Sequence, residues 1–194
     1  MRELILLAGS MRAGKTSFCK ALFQTLKAKS PFPFAIVEES LRDPQGIPLT
    51  ILLRDLGQGD EIPLAVRQQP RSDISKPYPP FSFSSEAFRW AESRVREAVR
   101  KGCGPVILDE MGPLEINEES GFFGIASWLL RNGDYPLLVT VRPSLEQVLT
   151  DKLRAASGIF PMKRFEIGKA LLGPTLDTLR VEMFRHCQDG KQAL

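Results

Sequence analysis

Residues 9–16 read GSMRAGKT and fill every fixed position of the pattern G-x-x-x-x-G-K-[S/T] with Gly9, Gly14, Lys15 and Thr16. The chemistry of that spacing is phosphate binding. Gly9 lets the chain turn sharply off a strand, and Gly14 lets the backbone come close to a polyphosphate. The N–H groups of Ser10, Met11, Arg12 and Ala13, continuing through Ser17 in the first turn of a helix, then form an anion nest at that helix N-terminus. Lys15 brings a point charge to the β- and γ-phosphates, and the Thr16 hydroxyl is a ligand for Mg²⁺. The Arg12 side chain has two readings, one on bound phosphate and one in solvent.

A second constellation lies about ninety residues on and reads as a Walker B candidate, a signal that is weak alone and gains its weight from the full loop motif upstream. Val106, Ile107 and Leu108 form an apolar run that ends in Asp109 and Glu110. A buried parallel strand of this kind delivers its carboxylates at its C-terminal end, where ligands sit in open α/β sheets. Asp109 is the expected Mg²⁺ ligand, usually through water. Glu110 is the expected group that orients or deprotonates an attacking water. By analogy with P-loop proteins that carry a catalytic glutamate, a further strand separates the P-loop strand from the Walker B strand. Residues 137–141 suit that place. Thr140 then reads either as a γ-phosphate sensor or as a β-branched strand residue, and Arg142 as a stabiliser of transition-state charge or a surface charge. Arg67 reaches the nucleotide only if the segment that carries it folds over the site.

These residues need strands and helices to position them, and the chain alternates the two. The apolar run Leu4 to Ala8 enters the glycine turn, and an amphipathic pattern with Phe18, Leu22 and Leu26 leaves it. SPFP at 30–33 ends that helix. Strands are expected at 34–37, 47–53 and 62–66, the last two forming a hairpin around the turn signal GQGDE. Residues 68–85 are rich in Pro, Ser and Gln and read as a loop, flexible over 68–76, with a lid over the phosphates as a weaker reading. A helix from Ser84 or Ser85 to about Lys101 follows, with Phe88, Ala91, Val95, Ala98 and Val99 as its apolar stripe. After the Walker B strand come a loop, a helix over 121–131, the strand 137–141, a helix from Pro143 to about Ala155, an edge strand over 164–167 and a last helix over 175–187. Together these predict an α/β fold of P-loop NTPase type. It has three layers and a mostly parallel sheet, with an antiparallel β-hairpin insertion after the first helix, at about 34–83. The whole of 1–194 reads as one domain.

Composition narrows the function classes. The chain has 194 residues, 43% apolar and 25% charged, with a formal net charge of +3. The charges are interspersed without a basic tail or stripe, so no nucleic-acid partner is predicted. No apolar run approaches the ~20 residues that span a membrane, and the N-terminal apolar run reads as a core strand rather than a signal peptide. Cys19, Cys103 and Cys187 make no C-x-x-C pair, which suits buried thiols in a reducing cytoplasm. His186 is the only histidine, which argues against a histidine metal site or a Ser-His pair.

At LDEMGPLE the chain resembles the small P-loop nucleoside-triphosphatases of the thermophile type. That family's Walker B has the form D-E-[I/V/M]-G-x-[M/L]-E, matched here by Asp109, Glu110, Met111, Gly112, Leu114 and Glu115. The run Leu64-Ala65-Val66-Arg67 is similar to the family's Ala-Arg segment, KPYPPFSFSSEAF to its Gly-x-Tyr…Phe tract, and LLVTV to the strand after its Walker B. The resemblance covers about residues 3–142. It departs at Lys76-Pro77-Tyr78, where the family has glycine before tyrosine, and at Met11-Arg12-Ala13, where the family often has Pro-Gly. It implies slow, Mg²⁺-dependent hydrolysis of ATP, GTP and other triphosphates to diphosphates. Two other functions use the same loop: a small-molecule kinase with a second substrate under residues 68–85, and a nucleotide-dependent switch read by a protein partner. A specific GTPase fits least, since no N/T-K-x-D run follows the Walker B strand.

Overall fold

The computed structural model describes residues 2–28, 32–68, 81–167, 177–179, 181 and 183. Its first strand, β1 (Glu3–Ala8), is buried along its whole length. Continuous burial of an apolar run is what a central parallel strand requires. The P-loop follows, then α1 (Lys15–Lys27). Next come β2 (Phe34–Arg42), β3 (Pro48–Asp55), β4 (Glu61–Arg67) and the short β5 (Phe81–Phe83). The second half alternates more regularly: α2 (Ser85–Arg100), β6 (Val106–Met111), α3 (Pro113–Glu118), α4 (Phe122–Asn132), β7 (Pro136–Val141), α5 (Glu146–Ser157) and β8 (Met162–Glu166).

All eight strands form one sheet in the order β5-β4-β3-β2-β6-β7-β1-β8. The five strands from β2 to β8 in that order are parallel, and β3, β4 and β5 extend the sheet antiparallel from β2. This is the expected α/β fold with its antiparallel insertion, and β7 lies between the P-loop strand and β6 as the analogy required. The insertion is larger than a hairpin. β2 runs on to Arg42, well past the expected end at Val37, because pairing with β3 carries its polar half. The tract read as a loop up to residue 85 includes β5, which pairs with β4 at Ala65, Val66 and Arg67. The rest of that loop, from residue 69 to 80, lies outside the described residues, as do most of the last expected helix, His186 and Cys187. Residues 177–179, 181 and 183 are helical.

Two apolar clusters occupy the two faces of the sheet. Phe18, Cys19, Leu22, Phe23 and Leu26 of α1 pack with Leu179 and Met183 on Ile5, Leu7, Ala35 and Ile107. On the other face, Ala87, Ala91 and Val95 of α2, Phe122, Ala126 and Leu129 of α4, and Leu149 and Leu153 of α5 cover Leu4, Leu6, Ile36 and Leu108. Each fully buried Leu or Phe contributes about 2 kcal/mol, so both layers clamp the strands whose C-terminal ends carry the site. The capping of α2 is as read: Ser84 Oγ accepts the N–H of Ala87 at 3.3 Å. The expected loop after β6 is instead the helix α3, started by Pro113 at its first position, where a missing N–H costs nothing. Among the described residues no helix is long and apolar enough to cross a membrane.

Candidate functional site

The loop leaves β1 at Gly9, whose N–H bonds the carbonyl of Val141 at 3.1 Å. Ser10 to Ala13 make a tight turn, closed by the Ala13 N–H on the Ser10 carbonyl at 3.1 Å. Gly14, at φ 94°, then redirects the chain into α1. No side chain caps this helix, and no acid sits in its first turn. Its first N–H groups, which have no intrahelical partner, and the positive end of its dipole therefore stay available to an anion. Lys15 is buried, and its Nζ turns back onto the carbonyls of Gly9 and Ser10 at 3.0 and 3.2 Å.

Thr16 and Asp109 are ninety-three positions apart, and their side chains meet: Thr16 Oγ1 donates to Asp109 Oδ2 at 2.5 Å. Asp109 is fully buried. Burial pushes its pKa up, while the hydrogen bonds from Thr16 and Thr140 hold it down. A hydroxyl and a carboxylate converging beside a phosphate nest form a hard-oxygen donor pair that suits Mg²⁺. Among the described residues no three His, Cys, Asp or Glu side chains converge as a metal cage. Thr16 and Asp109 are therefore the residues that would hold such an ion here.

Glu110 is held by a break in strand register. Leu108 pairs with Val139 and Met111 with Val141, so Asp109 and Glu110 together face the single residue Thr140. This is a bulge, a device that re-aims side chains beside active sites. Glu110 sits in the left-handed region at φ 59°, which costs a non-glycine residue about 1–2 kcal/mol. Its N–H is tied to Thr140 Oγ1 at 2.8 Å, and Thr140 Oγ1 in turn donates to Asp109 Oδ1 at 2.7 Å. The Thr140 hydroxyl is thus spent on the two acids. Arg142 places Nε and Nη2 on Glu110 Oε1 at 3.2 and 3.0 Å, and Lys15 Nζ lies 4.0 Å from Glu110 Oε2. Arg67 is not drawn into this cluster. It lies on β4, three strands from β6 in the sheet, with Nη1 3.4 Å from the Pro48 carbonyl and its guanidinium over Phe81.

Two further acids stand near the site: Glu38, which the sequence reading missed, and Glu115, which it matched to the Walker B pattern without giving it a role. Glu38 follows the last β2 residues that pair with β6. Burial raises its pKa well above the ordinary range, the charges of Glu115, Asp109 and Glu110 raise it further, and Arg142 opposes them. Glu115 is buried in the first turn of α3 and accepts the Gly112 N–H at 2.9 Å. Burial raises its pKa too, against the hydrogen bonds it accepts from Glu115 and Gly112 backbone N–H groups. Glu115 carries a sequence signal, acid at the third position after a Gly-Pro helix start. Glu38 carries none, because its neighbours are set by strand pairing alone.

Comparison with known proteins bears on the family and the fold. The model of the family NTPase_1, described as NTPase, matches residues 4–168. No curated protein matches the sequence. Among solved structures, that of a human cancer-related nucleoside triphosphatase is similar, with a TM-score of 0.64 at 18% identity, covering 93% of this chain and 96% of that one. THEP1 from the hyperthermophile Aquifex aeolicus is similar with a TM-score of 0.61 at 15% identity, covering 92% of this chain and 99% of that one. At these identities the likeness concerns the fold.

Proposed function

The chain belongs to the NTPase family, and from that premise we propose that it is a Mg²⁺-dependent nucleoside-triphosphatase. It hydrolyses ATP, GTP and other nucleoside triphosphates to the diphosphate and phosphate, slowly and with broad base tolerance. The observation that carries this reading is the 2.5 Å bond between Thr16 and Asp109. It brings the two halves of a triphosphate site together at the open N-terminus of α1.

In this reading Lys15 and the N–H groups of Ser10, Met11, Arg12 and Gly14 through Ser17 hold the β- and γ-phosphates, the Gly9 and Ala13 N–H groups being taken by the carbonyls of Val141 and Ser10. Thr16 and Asp109 would hold Mg²⁺, which when bound neutralises charge on the phosphate oxygens. Glu110, aimed by its bulge, accepts a proton from water. The water oxygen bonds to the γ-phosphorus as the bond to the β–γ bridging oxygen breaks, and the electron pair leaves with the diphosphate. Oriented donors around the phosphates supply most of the rate. The free thiols of Cys19 and Cys103 accord with a cytoplasmic location.

The test is phosphate release from a panel of nucleoside triphosphates with Mg²⁺, comparing wild type, Glu110→Gln and Lys15→Ala. Wild type should release phosphate from several nucleotides. Glu110→Gln should bind them but turn over about 10²-fold or more slowly, and Lys15→Ala should bind weakly. Nucleotide binding without any release by wild type would sink the hydrolase reading and favour a phosphate acceptor or a protein partner.

A further inference from the structure

Among the described residues three non-glycine positions have positive φ: Arg12 at 63°, Glu110 at 59° and Glu119 at 50°. Such a backbone persists only where something over-determines it. Glu110 has its tie to Thr140. Glu119 ends α3, and its carboxylate takes Lys152 Nζ at 2.9 Å. Arg12 has neither. Its side chain is exposed and makes no hydrogen bond or ion pair with any described residue.

The backbone geometry explains why the position is demanding. The Ala13 N–H bonds the Ser10 carbonyl, and of the two central residues only Arg12 takes positive φ. That is the arrangement of a type II turn, whose third residue is glycine by preference. Glycine would hold this turn without strain. Arginine adds a cost there and returns no hydrogen bond or ion pair with any described residue. What it does supply is a fixed charge on the rim of the nest, beside Met11, which is 65% exposed. Lys15, the other cation of the loop, is already turned inward onto carbonyls.

We propose that the Arg12 side chain is a polyphosphate-binding residue in its own right, pairing its guanidinium with the phosphate chain of a nucleotide seated in the loop. The inference rests on the nucleotide-binding reading above. A guanidinium is always charged and forks onto phosphate oxygens. The compensation that no described residue provides then comes from the ligand. Its contribution falls on affinity and on the salt dependence of affinity, since each neutralised phosphate contact is screened by ions.

The experiment is a titration of wild type, Arg12→Gln, Arg12→Lys and Arg12→Gly with a fluorescent, non-hydrolysable nucleoside triphosphate and Mg²⁺ at several salt concentrations. Arg12→Gln should weaken binding about tenfold and flatten its salt dependence, and Arg12→Lys should restore the salt dependence and part of the affinity. Arg12→Gly should weaken binding equally although its melting temperature rises, which separates lost charge from lost structure. In turnover, KM should rise by more than kcat falls. Wild-type affinity and salt dependence in Arg12→Gln would overturn the proposal while leaving the nucleotide reading intact. Failure of wild type itself to bind the probe would overturn both.

Discussion

Thr140 Oγ1 donates to Asp109 Oδ1 at 2.7 Å. The same oxygen accepts the N–H of Glu110 at 2.8 Å. One hydroxyl on β7 therefore holds both acids of β6, one as a buried carboxylate and the other by its kinked backbone. Thr140→Val keeps the shape and removes the hydroxyl. It should leave Asp109 short of a donor and the Glu110 N–H without its partner, at about 1–3 kcal/mol in urea unfolding. Phosphate release should fall about tenfold or more as Glu110 loses its aim. Thr140→Ser should retain most of both. Equal turnover in the Val variant would show that the hydroxyl does not position Glu110.

Glu110 lies between two cations, with Arg142 on Oε1 and Lys15 4.0 Å from Oε2. The Arg142 side chain is 35% exposed, so screening keeps its contribution to folding small, under about 1 kcal/mol. Its role should show in rate. Arg142→Ala should lower kcat about tenfold with little change in melting temperature. Arg142→Lys should recover only part of the loss, because one ammonium cannot repeat the contact of Nε and Nη2. An unchanged kcat in Arg142→Ala would remove Arg142 from the site's working parts.

Glu115 yields a prediction on pH. Its folded pKa is raised above the ordinary value of 4.5, chiefly by burial. The folded state therefore binds this proton more tightly than the unfolded state, and stability from this group falls as pH rises from 4.5 through the raised folded value. Glu115→Gln cannot ionise, and its carbonyl oxygen can still accept the Gly112 N–H. Melting curves should show the Gln variant gaining on wild type as pH is raised from about 5 to about 8. A gap that is constant with pH would mean that Glu115 ionises in the folded state as it does in the open chain.

What could be read from the sequence was local, and what could not was long-range. Gly9, Gly14, Lys15 and Thr16 lie within eight consecutive residues, so their spacing alone defines the loop. The run ending in Asp109-Glu110 announces a strand with acids at its tip. The bulge that gives Glu110 its φ is invisible in that run, because it exists only as two residues facing Thr140 across the β6–β7 pair. Glu38 is hidden for the same reason. It approaches Asp109 because Ile36 pairs with Leu108, and no neighbour in sequence says so. β5 has only three residues and owes its existence to β4. The helix α3 is a different case, since Gly112, Pro113 and Glu115 carry a start signal and only its six-residue length hides it.

The last prediction concerns the joint that carries α4. Gly121 precedes this helix at φ 56°, and a Cβ added there would lie 2.6 Å from Cε1 of Phe88. Phe88 packs its ring edge-to-face with Phe122, centroids 6.0 Å apart, so yielding to a new Cβ would disturb that contact. Gly121→Ala combines left-handed strain with a clash inside this aromatic contact, and it should destabilise by about 2 kcal/mol or more. Gly124, three residues on in the helix, is exposed, and a Cβ there meets nothing within 4 Å. Gly124→Ala should stabilise by about 0.5–1 kcal/mol through helix propensity and a less free unfolded chain. Urea unfolding of the pair should move in opposite directions. If both were neutral, the α2–α4 packing that supports the Walker B loop would be looser than the Phe88–Phe122 contact indicates.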